Sequence, residues 1–200
     1  MNIAVFVSGR GSNLKAILTS KELEGLVKVA AVISDKVSCP AFQIAQSYSI
    51  PTYTVGNNAT NLNSQQLLGL LIELKLDLIV LAGYLKLIPN EVIGAFRNKI
   101  INIHPALLPS FGGKGMYGSN VHKAVFETSV KVSGATVHFV DYTYDTGSII
   151  AQRCVDISEV KSPEEIAEKV LKIEHELLPY VIKKFVCNEV KIENRRVILN

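Results

Sequence analysis

The chain has 200 residues, of which 48% are hydrophobic and 20% are charged. This composition excludes a disordered chain, and the length is enough to bury one core, so we expect a single domain over residues 1–200. With 21 Lys and Arg residues against 18 Asp and Glu residues, the net charge is +3, and residues 1–100 hold the excess with nine basic and six acidic residues. This mild bias suits a small anionic ligand better than nucleic acid.

The sequence also argues against membrane and disulfide-rich classes. Its longest uncharged apolar stretch, residues 78–85, is too short to cross a bilayer, and its first residues lack the basic leader of a signal peptide. Cys39, Cys154 and Cys187 are odd in number and widely spaced. We therefore expect reduced thiols in a cytoplasmic protein, without a disulfide framework or a metal site.

The first half of the chain alternates predicted strands with predicted helices. Apolar runs predict strands at residues 3–7, 29–34, 78–82 and 100–103, with a weaker one at 52–55. Helical patterns fit at residues 12–19, 40–47, 64–74 and 89–96. Strands that are apolar on both sides and alternate with helices indicate a doubly wound α/β fold with a mostly parallel sheet.

The second half has a different pattern. Alternation over residues 136–140, a polar turn at 141–147 and an apolar run at 149–155 predict an antiparallel hairpin at a sheet edge. The run from Ser162 to Glu165 predicts a capping box that opens a long helix. The apolar stripe of that helix is Ile166, Val170, Ile173, Leu177 and Val181.

A glycine-containing turn follows the first predicted strand. Gly11, Ser12 and Asn13 would place the amides of a helix N-terminus where they can bind one phosphate. The third glycine of a dinucleotide fingerprint would fall on Leu14, and no Walker lysine follows, so those two classes are disfavoured. The alternative is a tight turn in which Ser12 caps the helix.

Two polar side chains lie at the end of another predicted strand. Asn102 and His104 project to the same side and could stabilise an oxyanion and move a proton, although such a histidine can also be purely structural. A carboxylate folded back over His104 would raise its pKa. Spacing leaves Asp141 and Asp145 both open for that role, and each could instead be a turn former.

Glu174 falls within the apolar stripe of the long helix. A buried carboxylate needs partners, so Glu174 is either a core acceptor or a contact to a hydroxyl-rich ligand. His122 and His175 offer no comparable argument, and we expect both to be structural or solvent-exposed.

Six motifs occur together in the order found in one enzyme family, at residues 8–14, 81–85, 102–109, 137–140, 145–147 and 174–175. In this pattern the chain resembles the folate-dependent formyltransferase family, and among its members those that act on glycinamide ribonucleotide. The six motifs include none from the further domains that tRNA formyltransferases and formyltetrahydrofolate deformylases carry. The resemblance implies a Rossmann-like formyltransferase fold.

The resemblance also implies an activity and its catalytic residues. The formyl group of 10-formyltetrahydrofolate, a co-substrate, would pass to the amine of N1-(5-phospho-D-ribosyl)glycinamide in de novo purine biosynthesis, by direct amine attack without a metal. Asn102 would contact the formyl end of the folate and stabilise the oxyanion. His104 would be the proton donor, and Asp145, rather than Asp141, would raise the pKa of His104.

The binding residues follow from the same resemblance. The ribonucleotide would contact Gly11, Ser12, Asn13 and Glu174, the first three through its phosphate and Glu174 through the ribose hydroxyls. The folate would contact Leu85, Lys86, Leu87, Ile88 and Asn102. The implied partners are these two small molecules, with no nucleic acid and no membrane, in a monomer or homodimer.

Three alternatives stay open from the sequence. The first is a deformylase-like hydrolase that delivers the formyl group to water. The second is a dinucleotide-dependent oxidoreductase on the same fold, which the absent third glycine disfavours. The third is a phosphate-binding regulatory module, in which Asn102, His104 and Asp145 would have no role.

Overall fold

The structure is a computed structural model and describes residues 1–56, 60–194 and 196–200. Its strands are β1 (Asn2–Val7), β2 (Lys28–Ser34), β3 (Thr52–Thr54), β4 (Leu78–Leu81), β5 (Ile100–His104), β6 (Val132–Phe139), β7 (Ile149–Asp156), β8 (Val190–Glu193) and β9 (Arg196–Leu199). Its helices are α1 (Ser12–Thr19), α2 (Ala41–Ser47), α3 (Ser64–Glu73), α4 (Asn90–Ala95), α5 (Ser119–Glu127) and α6 (Pro163–Val186).

Within the described ranges, seven of the strands form a sheet in the order β3-β2-β1-β4-β5-β6-β7. The pairs β1–β2, β1–β4 and β2–β3 are parallel, and β6–β7 is antiparallel at one edge. This confirms the predicted doubly wound α/β fold and its edge hairpin. The chain runs outward from β1 to β3 and returns to β4 on the other side of β1, which creates a switch point where such sheets bind ligands.

The chain divides into two compact units, Met1–Ile101 and Asn102–Asn200, and the single-domain organisation stays a prediction. In the first unit, residues 3–7 of β1 are completely buried, as expected for a central strand covered on both faces. Leu14 and Ile17 of α1 are also buried, one helical turn apart. Buried residues therefore lie on both sides of the turn at which β1 passes into α1.

In the second unit, β6 pairs with β7 in a register that places Thr136 opposite Gln152. The long helix begins as predicted, with the Ser162 hydroxyl accepting from the Glu165 N–H at 3.3 Å. The other half of the predicted capping box is wrong, because the Glu165 carboxylate accepts from the N–H of Lys161 at 2.9 Å. Four of the five residues in the predicted apolar stripe of α6 are buried and Ile173 is half-buried, while Glu174 is only 8% exposed within the stripe.

Two regions carry structure that the sequence patterns did not predict. Helix α5 begins at Ser119, and β8 pairs with β9 in a separate antiparallel hairpin. Across the part of the chain that the structure describes, no helix is both long enough and apolar enough to span a bilayer.

Candidate active site

The glycine turn of the first unit joins β1 to α1. Gly11 precedes α1 with φ 76° and ψ 27°, a left-handed conformation that glycine adopts without the steric cost of a Cβ. Among the described residues, no side chain caps α1. The first-turn N–H groups of a helix need partners from outside the helix, and the helix dipole favours an anion there. The predicted phosphate residues Gly11, Ser12 and Asn13 therefore lie together at a helix N-terminus.

The start of α2 holds this turn in place. The Gly9 carbonyl accepts from the Ala41 N–H at 3.2 Å and from the Cys39 thiol at 3.4 Å. Because a trans peptide directs its C=O and N–H to opposite sides, the Arg10 N–H points away from α2. A Cβ on Gly11 would lie 2.6 Å from the Ala41 Cβ, so glycine is required for space as well as for conformation.

Ser8 connects this turn to the segment predicted to bind folate. Its hydroxyl donates to Asp35 Oδ1 at 2.6 Å and accepts from the Leu85 N–H at 3.0 Å, while its own N–H donates to the Gly83 carbonyl at 3.0 Å. Ser8 is buried, and the carboxyl ends of β1 and β4 are tied together through it. The sequence places Ser8 in the motif at residues 8–14 but gives it no role of its own, although a serine directly after a fully apolar strand is a visible cue.

The predicted folate residues differ in accessibility. Leu87 is 47% exposed and Lys86 is exposed, whereas Leu85 is half-buried and Ile88 is buried in the core. The side chains of Lys86 and Leu87 can therefore reach a ligand directly. Ile88 belongs to the core instead.

In the second unit, Asp145 lies between two buried imidazoles. Its Oδ2 is 3.6 Å from His104 Nδ1, and its Oδ1 is 3.5 Å from His138 Nε2. Asn102 Nδ2 lies 3.0 Å from the same His138 nitrogen. Asp141 is exposed and accepts from the N–H of Tyr142 in its own turn, so the structure places Asp145 rather than Asp141 beside His104.

The glycine-rich segment after β5 contacts both catalytic candidates. His104 Nε2 donates to the Phe111 carbonyl at 2.9 Å, and the Gly113 N–H donates to Asp145 Oδ2 at 2.8 Å. Phe111 has a left-handed φ of 55°, which is uncommon for a bulky residue. The loop itself thus accepts a hydrogen bond from His104 Nε2.

Burial and charge oppose each other in this cluster. Burial lowers the pKa of His104 below its ordinary value, while the Asp145 charge and the Phe111 carbonyl raise it and His138 lowers it further. Asp145 therefore raises the pKa of His104 as expected, but desolvation is the larger effect and the net direction is downward. Burial raises the pKa of Asp145, yet its contacts with His138, Gly113 and His104 together bring that pKa below the usual value.

His122, expected to be structural or solvent-exposed, is buried. It is 8% exposed on α5, and among the described residues its Nδ1 has no hydrogen-bond partner. Burial lowers the pKa of His122, and the nearby charge of His104 lowers it further.

No group of three or more His, Cys, Asp or Glu residues within the described ranges has a geometry that could hold a metal ion.

Comparisons with known proteins agree with this architecture. The formyl transferase family model matches residues 1–182. A phosphoribosylglycinamide formyltransferase from Bacillus subtilis is 38% identical over 185 residues, which cover 90% of this chain and 92% of that protein. The chloroplastic phosphoribosylglycinamide formyltransferase of Arabidopsis thaliana is 43% identical over 193 residues. The matched region covers 94% of this chain and 65% of that protein.

A solved structure gives the same result. The phosphoribosylglycinamide formyltransferase of Anaplasma phagocytophilum superposes with a TM-score of 0.89 at 33% identity, covering 100% of this chain and 94% of that one. The chain therefore belongs to the formyl transferase family. Within that family it groups with the phosphoribosylglycinamide formyltransferases.

Proposed function

We propose that the protein transfers the formyl group of 10-formyltetrahydrofolate to the amine of glycinamide ribonucleotide in purine biosynthesis. The observation that carries this proposal is the buried cluster in which Asp145 lies between His104 and His138, with Asn102 against the same His138 nitrogen. A phosphate-binding module would have no use for this cluster. The family membership and the names of the relatives support the same choice.

The cluster supports direct attack of the amine on the formyl carbon. As the new C–N bond forms, negative charge develops on the formyl oxygen, where N–H donors from Asn102 and His104 stabilise it. The oxygen replaces the Phe111 carbonyl as the acceptor for His104 Nε2, and Asp145 beside Nδ1 stabilises the imidazolium. Collapse breaks the bond to N10 of the folate, and N10 leaves with the proton that the amine gives up.

The ribonucleotide and the folate would use separate parts of the chain. The amides at the start of α1 suit the phosphate, since the helix dipole favours an anion there. Glu174 suits the ribose hydroxyls, which can donate to a carboxylate. Lys86 and Leu87 offer exposed contacts for the folate, and the Ser8 hydroxyl fixes the backbone of that segment at Leu85.

Replacing Ser12 with Asp tests the phosphate site. A carboxylate there would repel the phosphate, and two like charges about 4 Å apart cost about 1–4 kcal/mol over the range from bulk water to a protein surface. We expect the KM for the ribonucleotide to rise about tenfold or more, while the KM for 10-formyltetrahydrofolate stays within about twofold. The neutral variant Ser12→Asn has nearly the same size as Asp and serves as the control. Equal ribonucleotide KM values in the two variants would reject the phosphate role.

The consumption of 10-formyltetrahydrofolate tests the function as a whole. We expect consumption only when glycinamide ribonucleotide is present, with one formylated product per folate used. A deformylase would instead release formate without the ribonucleotide. Formate release at the same rate in the absence of the ribonucleotide would overturn the transferase proposal.

A further inference from the structure

We propose that His138 is a positioning residue that fixes the side-chain amide of Asn102, so that one N–H of Asn102 faces the reacting formyl oxygen. His138 lies on β6, next to β5 in the strand order, and is 2% exposed. The role in catalysis rests on the proposed function. The arrangement of the hydrogen bonds can be tested without it.

The hydrogen bonds of His138 have one consistent direction. Its Nδ1 lies 2.8 Å from the carbonyl oxygen of Phe139, and a carbonyl only accepts, so Nδ1 carries a hydrogen. In the neutral ring, Nε2 is then an acceptor. Asn102 Nδ2 lies 3.0 Å from Nε2 and donates to it. The Asn102 amide thus donates to His138, and His138 donates to the backbone.

Asp145 competes with Asn102 as a partner for His138 Nε2. Its Oδ1 lies 3.5 Å from His138 Nε2, which is longer than the 3.0 Å contact with Asn102. A hydrogen on Nε2 would use the longer of these two contacts and would leave the Asn102 NH2 group facing another donor at 3.0 Å. The shorter contact therefore favours the His138 ring that accepts from Asn102.

The direction of the Asn102 amide matters because its two ends have opposite chemistry. With one hydrogen of Nδ2 committed to His138, the other hydrogen of the same NH2 group remains to donate to the substrate. The reversed amide would turn its carbonyl oxygen towards the developing oxyanion and repel it. An amide held in one orientation avoids reorganisation during the reaction, which is the basis of electrostatic preorganisation.

Two substitutions separate this role from simple packing. The His138→Gln variant carries a carbonyl near the position of Nε2 and can still accept from Asn102. The His138→Asn variant reaches only to the position of Nδ1 and leaves the Asn102 amide without that acceptor. We expect kcat to fall about tenfold in His138→Asn and to stay within about threefold of wild type in His138→Gln, because mispositioning forfeits part of the ~10²–10³-fold effect of losing a donor. The KM for the ribonucleotide should stay unchanged in both.

A double-mutant cycle tests whether the effect passes through Asn102. In an Asn102→Ala background, we expect His138→Asn to change kcat by less than twofold, because the group it positions is gone. A further tenfold loss in that background would overturn the proposal, and so would equal kcat values for the Asn and Gln variants. Thermal melting of each variant checks that it is folded.

Nuclear magnetic resonance of the ligand-free wild-type protein tests the hydrogen bonds directly. Long-range ¹H–¹⁵N spectra at neutral pH should show His138 Nδ1 protonated and Nε2 unprotonated. A protonated Nε2 would overturn the proposal even if formyl transfer is confirmed. The expected tautomer together with no formyl transfer would instead reject the proposed function and leave the positioning of Asn102 standing.

Discussion

Replacing Asp145 with Asn is expected to lower kcat about 10²–10³-fold, the loss typical of removing one preorganised electrostatic group from a reaction site. Asn has the same shape as Asp and can still accept from the Gly113 N–H, so the turn keeps its hydrogen bond. The variant loses the negative charge beside His104 Nδ1, which stabilises the imidazolium. His104→Ala, which removes the imidazole itself, should lower kcat at least as much.

The Asp145→Asn variant should also shift the pH dependence of kcat in one direction. Burial lowers the pKa of His104 and the Asp145 charge opposes that shift, so the Asn variant should lower this pKa further. Activity that needs the imidazolium declines as the pH rises through the pKa of His104. The high-pH limb of kcat should therefore move to lower pH in Asp145→Asn. Measuring kcat across the pH range for wild type and variant checks this shift.

Asp141 provides a matched control in the same turn. It is exposed, and its carboxylate accepts only from the neighbouring Tyr142 N–H among the contacts that the described residues show. Asp141→Asn should therefore keep kcat and its pH profile close to wild type. Comparable losses at both positions would contradict the role of Asp145, and so would wild-type turnover in Asp145→Asn or His104→Ala.

Replacing Gly11 with Ala is expected to destabilise the fold and impair the phosphate site together. A left-handed backbone costs an L-residue about 1–2 kcal/mol. The added Cβ would lie 2.6 Å from the Ala41 Cβ and 3.1 Å from its Cα, and such overpacking costs about 1–3 kcal/mol. We expect the free energy of unfolding to fall by about 2–5 kcal/mol in urea titrations. The KM for the ribonucleotide should rise because the α1 amides move.

At Gly69 the same Gly→Ala substitution should change the free energy of unfolding in the opposite direction. It lies inside α3, without a left-handed φ, and the position of its Cβ is open. Ala is the better helix former, so Gly69→Ala should stabilise the protein by about 0.5–1 kcal/mol. Stability of Gly11→Ala equal to wild type would show that the start of α2 does not constrain the turn.

Local patterns predicted the first half of the fold well. Helix α1 has its predicted bounds because a glycine turn and two buried residues, Leu14 and Ile17, determine it within one short stretch. The β8–β9 hairpin was harder to predict. Its strands have four residues each, and Ile192 and Ile198 are 44% and 39% exposed, so no strongly buried face marks them in the sequence.

In the candidate site, too, local sequence patterns predicted some features and not others. The positions of Asn102 and His104 followed from the end of one strand. The choice between Asp141 and Asp145 did not follow from spacing, because it depends on how the turn folds back onto His104. The contact between Asn102 and His138 joins residues 36 apart through neighbouring strands. The net direction of the His104 pKa depends on burial, which a sequence does not state.

The backbone at Asp145 has a consequence for choosing variants. Its φ is 57°, in the left-handed region that Asp and Asn tolerate better than most other residues. Turn geometry and acid–base chemistry thus select the same amino acid at this position. A preference for Asp there is not evidence of catalysis, and a loss of activity in an Ala or Leu variant mixes folding with chemistry. Asn keeps the backbone preference and removes the charge, so it separates the two.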